Sequence, residues 1–180
     1  MKKLIIAVVV ILAVIGGIFY WSQKPSPEVV NSSPTSTGDY KNISYNIDGQ
    51  TIQFKNGLSE MNAAPDAVEI VTTEYFGNEV RGDFNNDGTE DVAFLMVQSG
   101  GGTGAFFYVV AALKTADGYK GTNGVFLGDR IAPQTTEFRN SQIIVNYADR
   151  KPNEPLSAEP SVGVSKYLKI VGDQLIEISP

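Results

Sequence analysis

Residues Leu4 to Trp21 read LIIAVVVILAVIGGIFYW, 18 apolar or aromatic residues without a break. A helix rises about 1.5 Å per residue, so the run would extend roughly 27 Å, close to the hydrocarbon thickness of about 30 Å. A helix packed on a soluble core would keep a polar face, and this run has none. Whatever else the chain folds into must therefore be built from the residues that follow. Lys2 and Lys3 precede the run and only Lys24 follows it closely. That bias predicts a cytoplasmic N-terminus and places everything after Trp21 outside, with Tyr20 and Trp21 at the outer interface. A cleavable signal peptide is the competing reading. The run is longer than the usual signal core of about 7–15 residues, and bulky Phe19, Tyr20 and Trp21 stand where a small-residue cleavage site would be needed. The reading favoured is a single-pass cell-membrane protein with an uncleaved signal-anchor over residues 1–21.

Residues 22–39, SQKPSPEVVNSSPTSTGD, are rich in Ser, Thr and Pro and show no periodic apolar face. They read as a semi-extended tether. Residues 40–180 then form the extracytoplasmic domain. No repeat of about 20–50 residues is visible, which argues against a solenoid or a whole propeller. Lys2, Lys3 and Lys24 are the basic residues up to position 24, which leaves 11 of the 14 against 20 acids beyond it, a net charge of −9 outside the membrane. Such a surface disfavours nucleic acid and anionic headgroups, and favours soluble cations or basic partners.

The chain has no cysteine and no histidine. There is no disulfide framework, thiol nucleophile or lipid-attachment cysteine. The Ser–His and Cys–His catalytic pairs are also excluded, with the usual zinc and iron ligand sets.

The domain is punctuated as a mainly β protein. Ile43–Phe54 alternates around Asp48-Gly49, a hairpin signal. Val68–Phe76 and Val80–Phe84 read as two further strands. Val92–Val97 and Ala105–Leu113 are apolar on both faces, as central strands are. Residues Gln98–Gly104 join them. Ile143–Ala148, Ser165–Val171 and Gln174–Ile178 add strands, with turns at Asn140-Ser141 and Gly172-Asp173. One short helix is allowed after Pro65, within Ala64–Glu74. The expected architecture is a compact antiparallel sandwich or partly open barrel.

The segment Asp83-Phe84-Asn85-Asn86-Asp87-Gly88-Thr89-Glu90-Asp91 fits D-x-N-x-D-G-x-x-D. In a tightly coiled loop alternate residues point inward, so oxygen donors at this spacing can surround one ion. Gly88 permits the positive φ of a sharp turn. Hard oxygen donors without His or Cys favour Ca²⁺ over softer metals. Plain turn chemistry accounts for Asn, Asp and Gly, but not for their alternation. Three carboxylates within about 5 Å would repel by roughly 3 kcal/mol per pair at an effective dielectric near 20.

This segment resembles the calcium loops of FG-GAP repeats in integrin-type propellers, and is similar to those of dockerin and EF-hand proteins. The resemblance covers Gly82 to Ala93. It implies a calcium site formed by Asp83, Asn85, Asp87, the Thr89 carbonyl and Asp91, with Glu90 facing solvent. An EF-hand would place a bidentate Glu where this chain has Phe94. The flanking segments also read as strands, so the likeness points to a calcium-clamped hairpin. The central part of the domain resembles bacterial envelope proteins, which implies location and no mechanism.

Three functions are compatible with these features. The first is a non-catalytic, membrane-tethered β domain that binds an envelope component or a protein, with structural calcium in one hairpin. The second is a small carboxylate-dependent hydrolase of envelope glycans, for which Asp129, Asp149 and Glu137 are candidate acids. The third is a subunit that assembles through β-edges. Missing His and Cys favour the first. The tripeptide Arg81-Gly82-Asp83 reads as coincidence, because an Asp83 engaged in the loop is unavailable to an adhesion receptor. The glycine-rich Ser99–Gly104 segment lacks the Lys-Ser/Thr ending of a phosphate loop.

Overall fold

The computed structural model describes residues 38–179. The anchor expected over residues 1–21 and the tether up to residue 37 lie outside the described residues. Among those described, no helix is long and apolar enough to cross a membrane.

The domain is mainly β and antiparallel. A three-residue 3₁₀ helix, Tyr40–Asn42, opens it, with Asp39 accepting the Lys41 N–H at 2.9 Å. The strands are β1 (Ser44–Ile47), β2 (Gln50–Gln53), β3 (Leu58–Asn62), β4 (Ile70–Gly82), β5 (Asp91–Ser99) and β6 (Phe106–Thr115). They continue as β7 (Gly118–Gly121), β8 (Val125–Asp129), β9 (Ala132–Arg139), β10 (Gln142–Asp149), β11 (Val162–Val171) and β12 (Gln174–Ile178). Strands β3-β4-β5-β6-β7 pair in that order, with β8 beside the free part of β6; β12-β11-β10-β9 form a second sheet, and β1-β2 a separate hairpin.

The period of two along β5 and β6 explains how these layers stack. Ala93 and Leu95 on β5, with Phe107, Val109 and Ala111 on β6, share a core with Ile143, Val145, Leu168 and Leu175 of the four-stranded sheet. The alternate residues Val92, Phe94, Met96, Val110 and Ala112 face the other way. They pack under the β1-β2 hairpin, against Tyr45, Ile47, Ile52 and Phe54. Strands β5 and β6 are therefore central and covered on both faces, as their continuous apolar sequence predicts. The Phe94 ring lies 5.6, 5.5 and 5.2 Å from the rings of Tyr40, Tyr45 and Tyr75.

The Asp48-Gly49 hairpin forms as expected, both residues having positive φ (50° and 85°). Asn140 and Ser141 likewise take φ of 54° and 57° between β9 and β10. Two expectations are corrected. The segments Val68–Phe76 and Val80–Phe84 are not separate strands: β4 runs unbroken across Gly77-Asn78, where a register shift against β5 absorbs the extra residues. No helix follows Pro65. A turn closed by Ala67 N–H to Ala64 C=O (3.0 Å) returns the chain directly to β4.

Candidate functional site

Gly82 and Asp91 are cross-strand partners at the end of the β4-β5 ladder, so residues 83–90 form a hairpin loop between neighbouring strands. Phe84 ties the loop to the core. It is buried, and its ring stands 4.9 Å from that of Phe138 on β9.

The loop is held by its own acidic side chains. Asp83 accepts the Asp87 N–H at 3.0 Å on one oxygen and the Gly88 N–H at 2.9 Å on the other. Asn85 Oδ1 accepts the same Asp87 N–H at 3.1 Å, and its Nδ2 donates to Asp87 Oδ2 at 2.8 Å. Asp87 Oδ1 accepts both the Thr89 N–H and its hydroxyl, at 2.8 and 2.5 Å. Two residues with positive φ, Asn86 (62°) and Gly88 (85°), bend the backbone far enough for these bonds.

Of the five predicted site residues, the structure gathers Asp83, Asn85, Asp87 and Thr89 in this bend. Asp91 takes a different position. It is fully buried, its two oxygens accepting the N–H groups of Phe84 (3.0 Å) and Lys114 (2.7 Å). Glu90 faces solvent and pairs with Arg81 at 3.4 Å. No group of three or more Asp or Glu side chains converges as a metal-holding set among the described residues. Each carboxylate oxygen that accepts one hydrogen bond keeps a second lone pair, so the donor chemistry fits a hard cation.

Electrostatics separate the two aspartates Asp87 and Asp91. Bonds from the Thr89 hydroxyl, from Asn85 and from the Thr89 N–H hold the Asp87 carboxyl below the usual aspartate range. Burial pushes Asp91 upward, and the charges of Asp87 and Asp83 push it the same way, against the two backbone donors. Asp83, Asp87 and Asp91 form no ion pair among the described residues.

Beside the loop lies a cluster that the sequence did not announce. The Glu79 carboxylate accepts the hydroxyls of Tyr40 and Tyr75, the latter at 2.7 Å. Arg81 links Glu79 (3.7 Å) to Glu90 (3.4 Å), and Lys41 Nζ sits 3.6 Å from the Tyr75 ring centre. Burial alone would raise Glu79, but the two hydroxyls, Arg81 and Lys41 outweigh it and hold the carboxyl below its ordinary value. Burial and the bond to Glu79 push Tyr40 up to about 12.

The carboxylates considered for glycan hydrolysis have other partners. Asp129 is bonded by Arg130 at 2.6 Å and by the Ala105 N–H, and Arg130 first of all holds its pKa down. Asp149 accepts the Arg150 N–H at 2.7 Å. Glu137 accepts from Thr135 and Asn146.

Comparison with protein-family models, curated proteins and solved structures finds no match to this chain.

Proposed function

We propose that this protein is a non-catalytic binding domain held outside the cell membrane by residues 1–21, with Ca²⁺ clamping the Asp83–Asp91 hairpin. Its partner is an envelope component or another protein. The layers are read as an antiparallel sandwich, the tether as a spacer. The observation that carries the calcium reading is the concentration of negative charge in one bend. Asp83, Asn85 and Asp87 lie within a few residues of one another, no Lys or Arg pairs with the aspartates among the described residues, and the charges of Asp87 and Asp83 add to the burial that raises Asp91. A divalent ion over Asp83, Asn85, Asp87 and the Thr89 carbonyl would relieve that repulsion, with Asp91 fixing the loop from below. Without a bidentate Glu at the twelfth position, affinity falls in the range of extracellular modules, about 10⁻⁴–10⁻³ M. The ion then acts as structure and not as a sensor. The net charge of −9 beyond residue 24 supports cations or basic partners and not nucleic acid.

Calorimetric titration of the full-length chain in detergent with Ca²⁺ tests this. Binding at millimolar Ca²⁺, lost in Asp83→Ala, supports the reading. No heat, together with equal thermal stability of both proteins with and without calcium, contradicts it.

A further inference from the structure

Asn56 and Gly57, with φ of 53° and 79°, make a two-residue turn that pairs Lys55 with Leu58 through N–H···O bonds of 2.9 and 3.1 Å. Beyond that pair the strands separate. β2 joins β1 above the large sheet, whereas β3 joins β4 within it. The divergence opens a cleft of about 500 Å³ lined by Thr51, Gln53, Lys55, Leu58, Glu60 and Met61.

Both walls of this cleft are unpaired strand edges. Leu58 directs its N–H and C=O at Lys55, away from β4, so by the period of two Glu60 and Asn62 direct theirs the same way. The Phe54 N–H bonds the Ile43 carbonyl, which turns Ile52 toward β1 and leaves the backbone groups of Thr51 and Gln53 facing the cleft. No hydrogen bond reaches these four residues' outward backbone groups among the described residues. Free edges of this kind take up an added strand.

We infer that this cleft receives an extended peptide segment of a partner protein, with a Lys or Arg set beside Glu60. The main chain of the segment would pair with β3, β2 or both. Glu60 is exposed and has no ion pair among the described residues. Lys55, at the turn end of the same cleft, is likewise exposed without an ion pair among the described residues, so charge complementarity selects a basic residue beside Glu60 and none beside Lys55. Antiparallel pairing of two β3 edges centred on Glu60 would set two carboxylates side by side, which disfavours that register of a second copy of this chain. The inference deepens the binding role proposed above, but it does not depend on the calcium loop.

Amide hydrogen exchange of the full-length chain in detergent tests it. The probe is a blocked seven-residue peptide of alternating Thr and Val with a central Lys, at millimolar concentration, in calcium and in chelator. Exchange at Thr51, Gln53, Glu60 and Asn62 should slow about tenfold on the strands engaged. The effect should vanish when the peptide's pairing amides are N-methylated. It should weaken when the central Lys becomes Glu, and Glu60→Lys should reverse that preference. Slowing in chelator as well as calcium supports the cleft even if the loop binds no ion. No slowing, equal slowing by the N-methylated peptide, or an unchanged preference in Glu60→Lys overturns the inference. So does protection that grows with protein concentration in the absence of peptide, which would assign these edges to a second copy.

Discussion

The Asp91 carboxylate accepts the Lys114 backbone N–H at 2.7 Å, joining the foot of the acidic hairpin to β6. Its other oxygen accepts the Phe84 N–H. One buried side chain thus fixes where β5 begins, how the loop leaves β4 and how far β6 extends. Asp91→Ala strands two N–H groups in the interior, a loss of about 2–4 kcal/mol. Asp87→Ala removes bonds at the exposed tip only. Denaturant unfolding should place Asp91→Ala well below the wild type and Asp87→Ala, without calcium, near it. Equal midpoints for the two variants would refute the role given to Asp91.

Gly82 is needed for space. A Cβ built there would lie 2.4 Å from Cδ1 of Phe138, whose ring packs on Phe84. Gly82→Ala should therefore cost about 1–3 kcal/mol by overpacking. Adding Phe138→Leu should recover part of that loss relative to Phe138→Leu alone, as a thermal-melt double-mutant cycle would read it. Additive effects would mean that the ring is not what Gly82 accommodates.

The Glu79 cluster contributes to both the acid and the alkaline limb of the domain's stability. The folded pKa of Glu79 lies below its ordinary value of 4.5. Its contribution is present above about pH 4.5 and is lost as pH falls through the folded value. Tyr40 behaves oppositely. Its pKa rises from 10.0 to about 12, first through burial and then through the bond to Glu79. That contribution is present below pH 10 and is lost as pH rises toward 12. Glu79→Gln should flatten the acid limb of the stability profile and move the Tyr40 tyrosinate transition part of the way back toward 10. An unmoved transition would mean that burial alone sets it.

Much of the fold is legible in the residues, and the exceptions have physical causes. The apolar runs Val92–Val97 and Ala105–Leu113 announce strands covered on both faces, and β5 and β6 occupy that position. β3 escapes notice because LSEMN is an exposed edge, where neither burial nor β-branching marks the strand. Asn56-Gly57 was the available hairpin signal there. Gly77-Asn78 reads as a break, yet a bulge carries β4 through it and brings Glu79 beneath Tyr40 and Tyr75. The loop's spacing identifies Asp83, Asn85 and Asp87 as neighbours. It does not give the direction of Asp91, which follows from the apolar strand that Asp91 begins.

The most direct test of the account is a crystal structure grown in millimolar CaCl₂. It should show density for one ion within about 2.3–2.6 Å of oxygens from Asp83, Asn85, Asp87 and the Thr89 carbonyl, with Asp91 still bonded to Phe84 and Lys114. A loop that keeps only water between those oxygens at that calcium concentration would contradict it.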